Sequence, residues 1–297
     1  MIYTLTLNPA IDREYRVSEI TFDSVLRATE TRSDPGGKGF NVSRMVAQLG
    51  APTTAVAFAA GKAGEWLEEQ LQGLGIATNF VWVEGETRTN TTVVADHQHI
   101  KVNEAGPEIC DRSIAELLQT VRSQVKPGDW WVLAGSLPPG VPSNFYAQLV
   151  GLIQSAGGMV FLDTSGEPLR QALNSQPNWI KPNEKEAADV SGTETPADAL
   201  AWFVKQGLDN VVISLGKEGS MFLQGDRAIG LKPPKILEQN PIGAGDAFVG
   251  GMVYGLVNNE ARGDAIRLGL VCGSLAASKP GTDFGTKEEI ETLLNQL

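Results

Sequence analysis

Apolar positions along the chain alternate between two spacings. Runs of strand length, rich in Val, Ile, Leu, Phe and Ala, occupy residues 2–7, 53–59, 129–134, 159–162 and 210–215. Their near-continuous apolar character predicts strands covered on both faces. Between them, residues 64–74, 112–125, 143–154, 197–205 and 243–297 carry apolar residues at helical spacing. Such alternation predicts an α/β fold: a mostly parallel central sheet with crossover helices on both faces, a three-layer α/β/α sandwich.

Two segments depart from the alternation. Residues 13–33 and 88–102, the second with a turn at Asp96-His97-Gln98, read as short strands without an intervening helix. They predict a small β-sheet lid inserted into a single domain spanning residues 1–297, because no repeat, low-complexity tract or Ser/Gly linker divides the chain. The lid carries Tyr15, Val17, Ile20, Phe22, Val93, Val94, Ile100 and Val102, more apolar surface than an isolated ribbon buries. A second copy would cover that surface, so a homodimer joined through its lids is expected.

Charge and composition narrow the chemistry. Among 297 residues, 24 Lys and Arg face 35 Asp and Glu, a net charge of -11. A surface of that sign repels polyanions, so neither nucleic acid nor an acidic membrane surface is an expected partner. No apolar run approaches the roughly 20 residues of a membrane span, and residues 1–5 lack the basic start of a signal peptide. A cytoplasmic location is therefore expected. Cys110 and Cys272 lack the paired spacing of a zinc site or disulfide framework and read as buried small hydrophobes. His97 and His99, the two histidines, read as a solvated turn rather than a metal site, which leaves little for a Ser-His-Asp hydrolase.

Two glycine-rich stretches carry candidate chemistry. In the first, Asn240-Pro241-Ile242-Gly243-Ala244-Gly245-Asp246, small residues open a strongly helical run. First-turn N–H groups of a helix lack intrahelical partners and sit at the positive end of its dipole, so Gly243, Ala244 and Gly245 form an anion cradle suited to a γ-phosphate. Asp246 in the same turn is either a chemical group or a favourable helix-start carboxylate. Phe248 stands where the dinucleotide fingerprint needs Gly or Ala, and no Gly-Lys pair is followed by Ser or Thr, which excludes a P-loop. In the second stretch, Asp34-Pro35-Gly36-Gly37-Lys38-Gly39-Phe40-Asn41-Val42-Ser43, a turn feeds a helix running to about Leu49. Asn183 and Glu186, three apart at a helix start, face one side, where they form either a water-mediated Mg²⁺ site or a plain capping pair. Cations also gather in the lid and the Gly-rich loop, at Arg27, Arg32, Lys38, Arg88 and Lys101. They suit a second anion site, with Arg32 and Lys101 read as solvated.

Residues 36–43 with Gly50, and residues 240–251, match the two signatures of the PfkB-type, ribokinase-like carbohydrate kinases, and the resemblance spans nearly the whole chain. Thr6-Leu7-Asn8-Pro9-Ala10-Ile11-Asp12, Gly135-Ser136-Leu137-Pro138-Pro139-Gly140, Asp163-Thr164-Ser165-Gly166-Glu167, Lys181-Pro182-Asn183-Glu184-Lys185-Glu186 and Ser214-Leu215-Gly216 resemble the branch acting on hexose phosphates. Ala60 stands where the first signature has Gly, and Ala134 where the branch usually has Ser. The resemblance implies the ribokinase-like sandwich with its lid, and a kinase using ATP and Mg²⁺. It implies Asp246 as general base with Gly243, Ala244 and Gly245 holding the transferring oxygens. It assigns Asp12, Gly37 and Asn41 to the sugar, and Lys38, Arg88, Ser136 and, across a dimer interface, Arg27 to the sugar phosphate. Asn183, Lys185, Ser214, Gly216 and Gly281 would line the nucleotide, with Glu186 and Asn183 on Mg²⁺ through water. The Gly-Gly-Lys-Gly stretch is similar to that of the 1-phosphofructokinases and tagatose-6-phosphate kinases. Fructose 1-phosphate is thus the first expected acceptor, with tagatose 6-phosphate and fructose 6-phosphate as alternatives. A catalytically silent sugar-phosphate sensor is a reading of another class, and Asp246 with an intact cradle argues against it.

Overall fold

The computed structural model describes residues 1–95, 98–225 and 227–296. The chain begins β1 (Ile2–Thr6), β2 (Ala10–Arg16), β3 (Glu30–Gly36), α1 (Lys38–Gln48), β4 (Thr53–Ala59), α2 (Gly61–Gly73) and β5 (Ala77–Trp82). It continues β6 (Arg88–Ala95), β7 (Gln98–Asn103), α3 (Asp111–Gln124), β8 (Trp130–Ala134), α4 (Phe145–Ser155), β9 (Met159–Asp163), α5 (Gly166–Leu173) and β10 (Trp179–Ile180). It ends α6 (Glu184–Ser191), α7 (Pro196–Lys205), β11 (Val212–Ser214), β12 (Ser220–Gln224), β13 (Arg227–Leu231), α8 (Ala244–Val257), α9 (Arg262–Ala277) and α10 (Lys287–Leu294).

Six strands form a parallel sheet in the order β10-β9-β8-β1-β4-β5. Bridges from Ile180 to Val211 and from Asn183 to Ser214 join it to the antiparallel sheet β11-β12-β13. The twofold period of a strand explains how β8 serves two cores at once. Trp131 and Leu133 pack with residues of α3 to α7, whereas Val132 and Ala134 pack with α1, α8 and α9. Helices therefore cover both faces, and the expected α/β/α sandwich is present.

A second sheet, in the order β3-β2-β6-β7, forms the lid. Its strands start at Ala10 and run to Gly36, wider than expected, and residues 17–29 carry no strand. β2 and β6 are parallel, so the first lid segment is not a closed hairpin on the second. The apolar lid residues divide. Val17 is buried and Tyr15, Ile20, Val93 and Val94 are half-buried within the chain, while Phe22 is 82% exposed, Val102 59% and Val25, which was not anticipated, 78%. Asp96 and His97 of the expected turn lie outside the described residues, and His99 is exposed on β7.

One reading of the sequence is corrected. Cys110 is exposed rather than buried, because it precedes α3 on the surface; Cys272 is buried in α9 as expected. The helical spacing of residues 243–297 resolves into α8, α9 and α10, broken at Asn259 and again at Gly281 and Gly285, all three in left-handed conformations.

α8 and α9 approach closely because small residues line their contact. A Cβ on Gly269 would lie 2.7 Å from the Phe248 carbonyl oxygen, a backbone atom that cannot swing aside. Helix propensity alone would make Gly269→Ala stabilising by about 1 kcal/mol, and overpacking opposes it with about 1–3 kcal/mol. We predict a net loss of about 1–2 kcal/mol in urea unfolding. A stabilised variant would show that the two helices can separate freely.

Candidate active site

Chain ends from several elements converge beyond the carboxyl edge of the parallel sheet. Asp163 closes β9, Lys181 follows β10, Lys38 opens α1 and Asp246 lies in the first turn of α8. Gly37 caps α1 at φ +123, and a Cβ there would lie 2.6 Å from Thr6 Cγ2 on β1, so glycine is needed for the helix to start this close to the sheet. Lys38 Nζ donates to both Asp163 oxygens, at 3.3 and 3.2 Å, and Lys181 Nζ stands 3.5 Å from Asp163 Oδ1. Asn41 Nδ2 donates to Asp246 Oδ2 at 2.9 Å.

The charges in this cluster set one another's state. Burial works against the Asp163 charge, but Lys181 and Lys38 outweigh it and hold the carboxyl below the usual range. Burial likewise works against the Lys38 charge, yet the Asp163 and Asp246 carboxylates hold its ammonium above the usual lysine range. Asp246, only 8% exposed, is pushed up to about 6 by burial; Lys38 opposes this, Asp163 adds to it, and the Asn41 hydrogen bond and Lys181 oppose it further. At neutral pH Asp246 is thus an ionised carboxylate of raised basicity, suited to accepting a proton.

Beside it, Gly243 caps α8 in the left-handed conformation. The Ala244 N–H is engaged with the Pro241 carbonyl at 3.2 Å, whereas the N–H groups of Gly243, Gly245 and Asp246 have no hydrogen-bond partner among the described residues. Lys181 Nζ would lie 3.8 Å from a Cβ on Gly245, which places an ammonium under the same cradle.

The lid base forms the second part of the site. Asp12 on β2 accepts from Asn90 Nδ2 on β6 at 2.9 Å, and its pKa is raised by burial against that hydrogen bond and the Arg88 charge. Arg88 Nη1 donates to the Glu104 carbonyl at 3.0 Å. Seven buried side-chain polar atoms lack partners among the described residues, and Thr6 Oγ1, Asn8 Oδ1, Arg88 Nε and Asn90 Oδ1 are four of them. All four belong to the segments bordering β1 and the lid base. Orphan groups concentrated there point to a polar ligand that completes them. Ser136, just past β8, is exposed, and its neighbour Gly135 lies against the Lys38 side chain. Arg27 is exposed in the strand-free lid segment, and no ion pair to it is found among the described residues.

A third part surrounds β11. Asn183 and Glu186 form a complete capping box for α6: Glu186 N donates to Asn183 Oδ1, and Asn183 N to Glu186 Oε2, each at 2.8 Å. The plain capping reading is therefore realised. Glu186 Oε1 makes no hydrogen bond among the described residues, and no group of three or more acidic, His or Cys side chains able to hold a metal occurs among them. One carboxylate oxygen fits a Mg²⁺ that keeps most of its waters and its phosphate ligands. The Asn183–Ser214 bridge brings Ser214 and the turn at Gly216 alongside, while Lys185 is exposed on α6. The Gly281 carbonyl accepts from Asn240 Nδ2 at 3.0 Å, and Gly281 packs against the Arg32 side chain. A cavity of about 470 Å³ opens nearby, lined by Ile236, Leu237, Leu275, Ser278, Thr292 and Leu293 among others.

Several residues were missed or misread from sequence. Arg32, expected to be solvated, pairs with Asp34 at 2.7 Å and donates to the Pro280 carbonyl at 3.1 Å, tying the lid to the 280–285 loop. Asp163 and Lys181 lie in stretches that carry the family resemblance, and an acid at a strand end with a lysine after the next strand signals the edge of a parallel sheet. Arg44 and Thr282 lie outside the motifs above, and their contact joins positions 238 residues apart. Arg44 lies one turn beyond Asn41, a spacing that places both on one helix face.

The sequence profile of pfkB family carbohydrate kinases matches residues 2–289. Among solved structures, phosphofructokinase-2 from Escherichia coli in complex with fructose-6-phosphate is 30% identical, with 100% of this chain and 98% of that chain covered and a TM-score of 0.92. Its tetrameric inhibited form is 30% identical over 99% and 98% of the chains, TM-score 0.91. A possible 1-phosphofructokinase from Thermotoga maritima is 27% identical over 99% and 97%, TM-score 0.85. Ribokinase from Arabidopsis thaliana, complexed with ribose and ATP, is 23% identical over 99% and 98%, TM-score 0.81, a likeness of fold.

The raised Asp246 carboxyl has a consequence for stability. Its folded value of about 6 lies above the ordinary aspartate value of 3.8, so its protonated form favours the folded state. That stability is present below the ordinary value and lost as pH rises through about 6. Asp246→Asn, which cannot ionise, should unfold at higher urea than the parent at pH 8, by about 3 kcal/mol. The gain should shrink as the pH is lowered from 6 towards 4; a gain independent of pH would contradict the burial argument.

Proposed function

Because the chain belongs to the pfkB family of carbohydrate kinases, we propose that it transfers the γ-phosphoryl group of ATP to fructose 1-phosphate, giving fructose 1,6-bisphosphate and ADP. ATP-dependent hexose-phosphate kinase activity follows from that membership and the phosphofructokinase neighbours; the acceptor and the role of each residue are inferred. One observation carries the reading: a buried carboxylate of raised basicity, Asp246, beside unpartnered helix-start amides.

In this reading Asp246 takes the proton of the acceptor hydroxyl as its oxygen bonds to the γ-phosphorus, and the bond from that phosphorus to the bridging oxygen breaks with its electrons leaving on ADP. Phosphoryl transfer needs positioning and charge neutralisation more than covalent help. The helix-start amides of Gly243 and Gly245 and the Lys181 ammonium supply both, with Ala244 shaping the turn. Mg²⁺, when bound with the nucleotide, neutralises phosphate charge, and Glu186 and Asn183 would hold it through water. Asp12 and Gly37 border the sugar, with Asn41 on the base. Arg88, Ser136 and Lys38 take its phosphate, and the orphan polar atoms of Thr6, Asn8 and Asn90 find their partners on the same ligand. The adenine and ribose lie along Lys185, Ser214, Gly216 and Gly281 into the cavity beside Leu275 and Leu293.

Lys38 within Gly-Gly-Lys-Gly favours fructose 1-phosphate. Fructose 6-phosphate is the second reading, favoured by the 30% identical Escherichia coli enzyme solved with that sugar. We read residues 1–297 as one kinase unit, and its two free cysteines suit a reducing, cytoplasmic setting. Exposed Phe22, Val25 and Val102 support a homodimer joined by its lids, in which Arg27 reaches the partner's sugar phosphate.

Steady-state kinetics with fructose 1-phosphate, fructose 6-phosphate, tagatose 6-phosphate and free fructose tests the acceptor, and the highest kcat/KM should belong to fructose 1-phosphate. Asp246→Asn should lower kcat by about 100-fold or more with little change in nucleotide affinity. The parent's kcat should fall as pH drops through about 6, where Asp246 gains its proton. Near-normal turnover in the variant would remove Asp246 as base. For the dimer, Arg27→Ala and Asp246→Asn proteins, each inactive alone, should partly regain activity after subunit exchange. A mixed dimer then holds one site with an intact base and the partner's intact arginine; exchange without rescue would place Arg27 in its own subunit's site.

A further inference from the structure

Arg44 is a half-buried guanidinium with three hydrogen bonds and a stacking contact, and none of the roles above uses it. Nη1 donates to Asn41 Oδ1 at 3.1 Å and to Thr282 Oγ1 at 2.9 Å, and Nη2 donates to the Thr282 carbonyl at 2.8 Å. Its plane covers Phe284, 4.8 Å from the ring centre. Phe284 in turn lies 3.3 Å from where a Cβ on Gly243 would stand, against the first residue of the cradle.

The chemistry of Asn41 makes this contact consequential. An amide has an oxygen end and an NH₂ end of similar size, so shape alone does not choose its orientation. Next to a carboxylate the choice sets the sign of the interaction, because the NH₂ end donates and the oxygen end repels. A guanidinium carries donors only. Arg44 therefore accepts only the oxygen of Asn41 as its neighbour, which leaves Nδ2 for Asp246 Oδ2 at 2.9 Å.

We infer that Arg44 is a positioning residue for phosphoryl transfer, locking the Asn41 amide with its NH₂ on Asp246 and pinning the 280–285 loop against Gly243. This rests on Asp246 being the base. The charges acting most strongly on Asp246 are Lys38, Asp163 and Lys181, and those around Arg44 are Asp34, Arg32, Asp283 and Asp12. Arg44 thus reaches Asp246 through Asn41 rather than as a charge.

The test compares Arg44→Met and Arg44→Lys with the parent, alone and on an Asn41→Ala background. Arg44→Met should lower kcat by about 10- to 100-fold and change the KM for the sugar phosphate by less than roughly threefold. The acid limb of its kcat profile should move up by about one pH unit as the Asn41 hydrogen bond to the carboxylate weakens. Arg44→Lys restores charge without the fork and should share the shift. On Asn41→Ala, neither substitution should move the limb further. An unmoved limb in Arg44→Met, or an equal further shift on Asn41→Ala, would overturn the inference. Should Arg44→Met unfold, Thr282→Val, which removes one anchor of the guanidinium, must show a smaller shift of the same sign. Amide spectra of Asn41 give a readout without turnover: the pH midpoint at which its side-chain NH₂ signal follows the ionisation of Asp246 should rise in Arg44→Met and stay at the parent's value if the inference is wrong. Asp246→Asn, run in parallel, separates the two failures, since normal turnover there defeats the assignment of the base while the Asn41 signal still reports on Arg44.

Discussion

Asp163 has almost no contact with solvent, yet it is charged, because two ammoniums stand on it from different elements. Removing one partner from a buried pair leaves an uncompensated charge and costs several kcal/mol, far more than a surface pair is worth. Three parts of the fold are consequently bound to one another: the end of β9, the residue after β10 and the start of α1. Since α1 carries Asn41 and meets α8 at Asp246, the position of the cradle also follows from that single carboxylate. The opposite half of the site is fixed differently. Arg32 with Asp34 and Pro280 holds the lid to the loop after α9, so the lid base and the 280–285 loop share a joint.

The order of the sheet explains why these parts meet where they do. Successive strands build outward from β1 in both directions, to β4 and β5 on one side and to β8, β9 and β10 on the other. Loops leaving the carboxyl ends on either side of such a reversal diverge and open a crevice. The segment after β1 enters the lid, that after β8 carries Gly135 and Ser136, and that after β10 carries Lys181. Each borders the crevice without any loop having to cross it.

How far the site could be read from sequence depended on whether a residue's role is local. Gly37, Gly243 and Asp246 announce themselves because a helix start with bare backbone is a local event, and the apolar spacing of β1, β4, β8 and β9 is local too. Strand β5 was not recognised: it sits at the edge of the parallel sheet, half-buried, and Thr78 and Asn79 break its apolar run. β12 and β13 were missed for a related reason, since their alternation is short and Gly230 weakens it. Asn183 and Glu186 were ambiguous because a capping box and a water-mediated metal site use the same spacing, and only geometry showed that one oxygen of each is already engaged. Arg32 was misread because its partner carbonyl, at Pro280, is remote in sequence. Only tertiary contact reveals such a link.

The charge count around the cradle adds a step that no single residue supplies. With both carboxylates ionised, Lys38 and Lys181 balance Asp163 and Asp246, and the cluster is neutral. In the proposed transfer Asp246 takes up the acceptor's proton, which leaves the cluster with one net positive charge. In the same step the negative charge released from the acceptor passes through the phosphoryl group to the bridging oxygen that leaves with ADP. Stabilisation that rises with the developing charge speeds the reaction, whereas equal attraction before and after would only tighten binding. A buried aspartate held near pH 6 suits this role better than one of ordinary acidity, since it is ionised at neutral pH yet readily protonated. The desolvation that makes Asp246 costly to the fold is thus the same property that suits it to the proposed role of base.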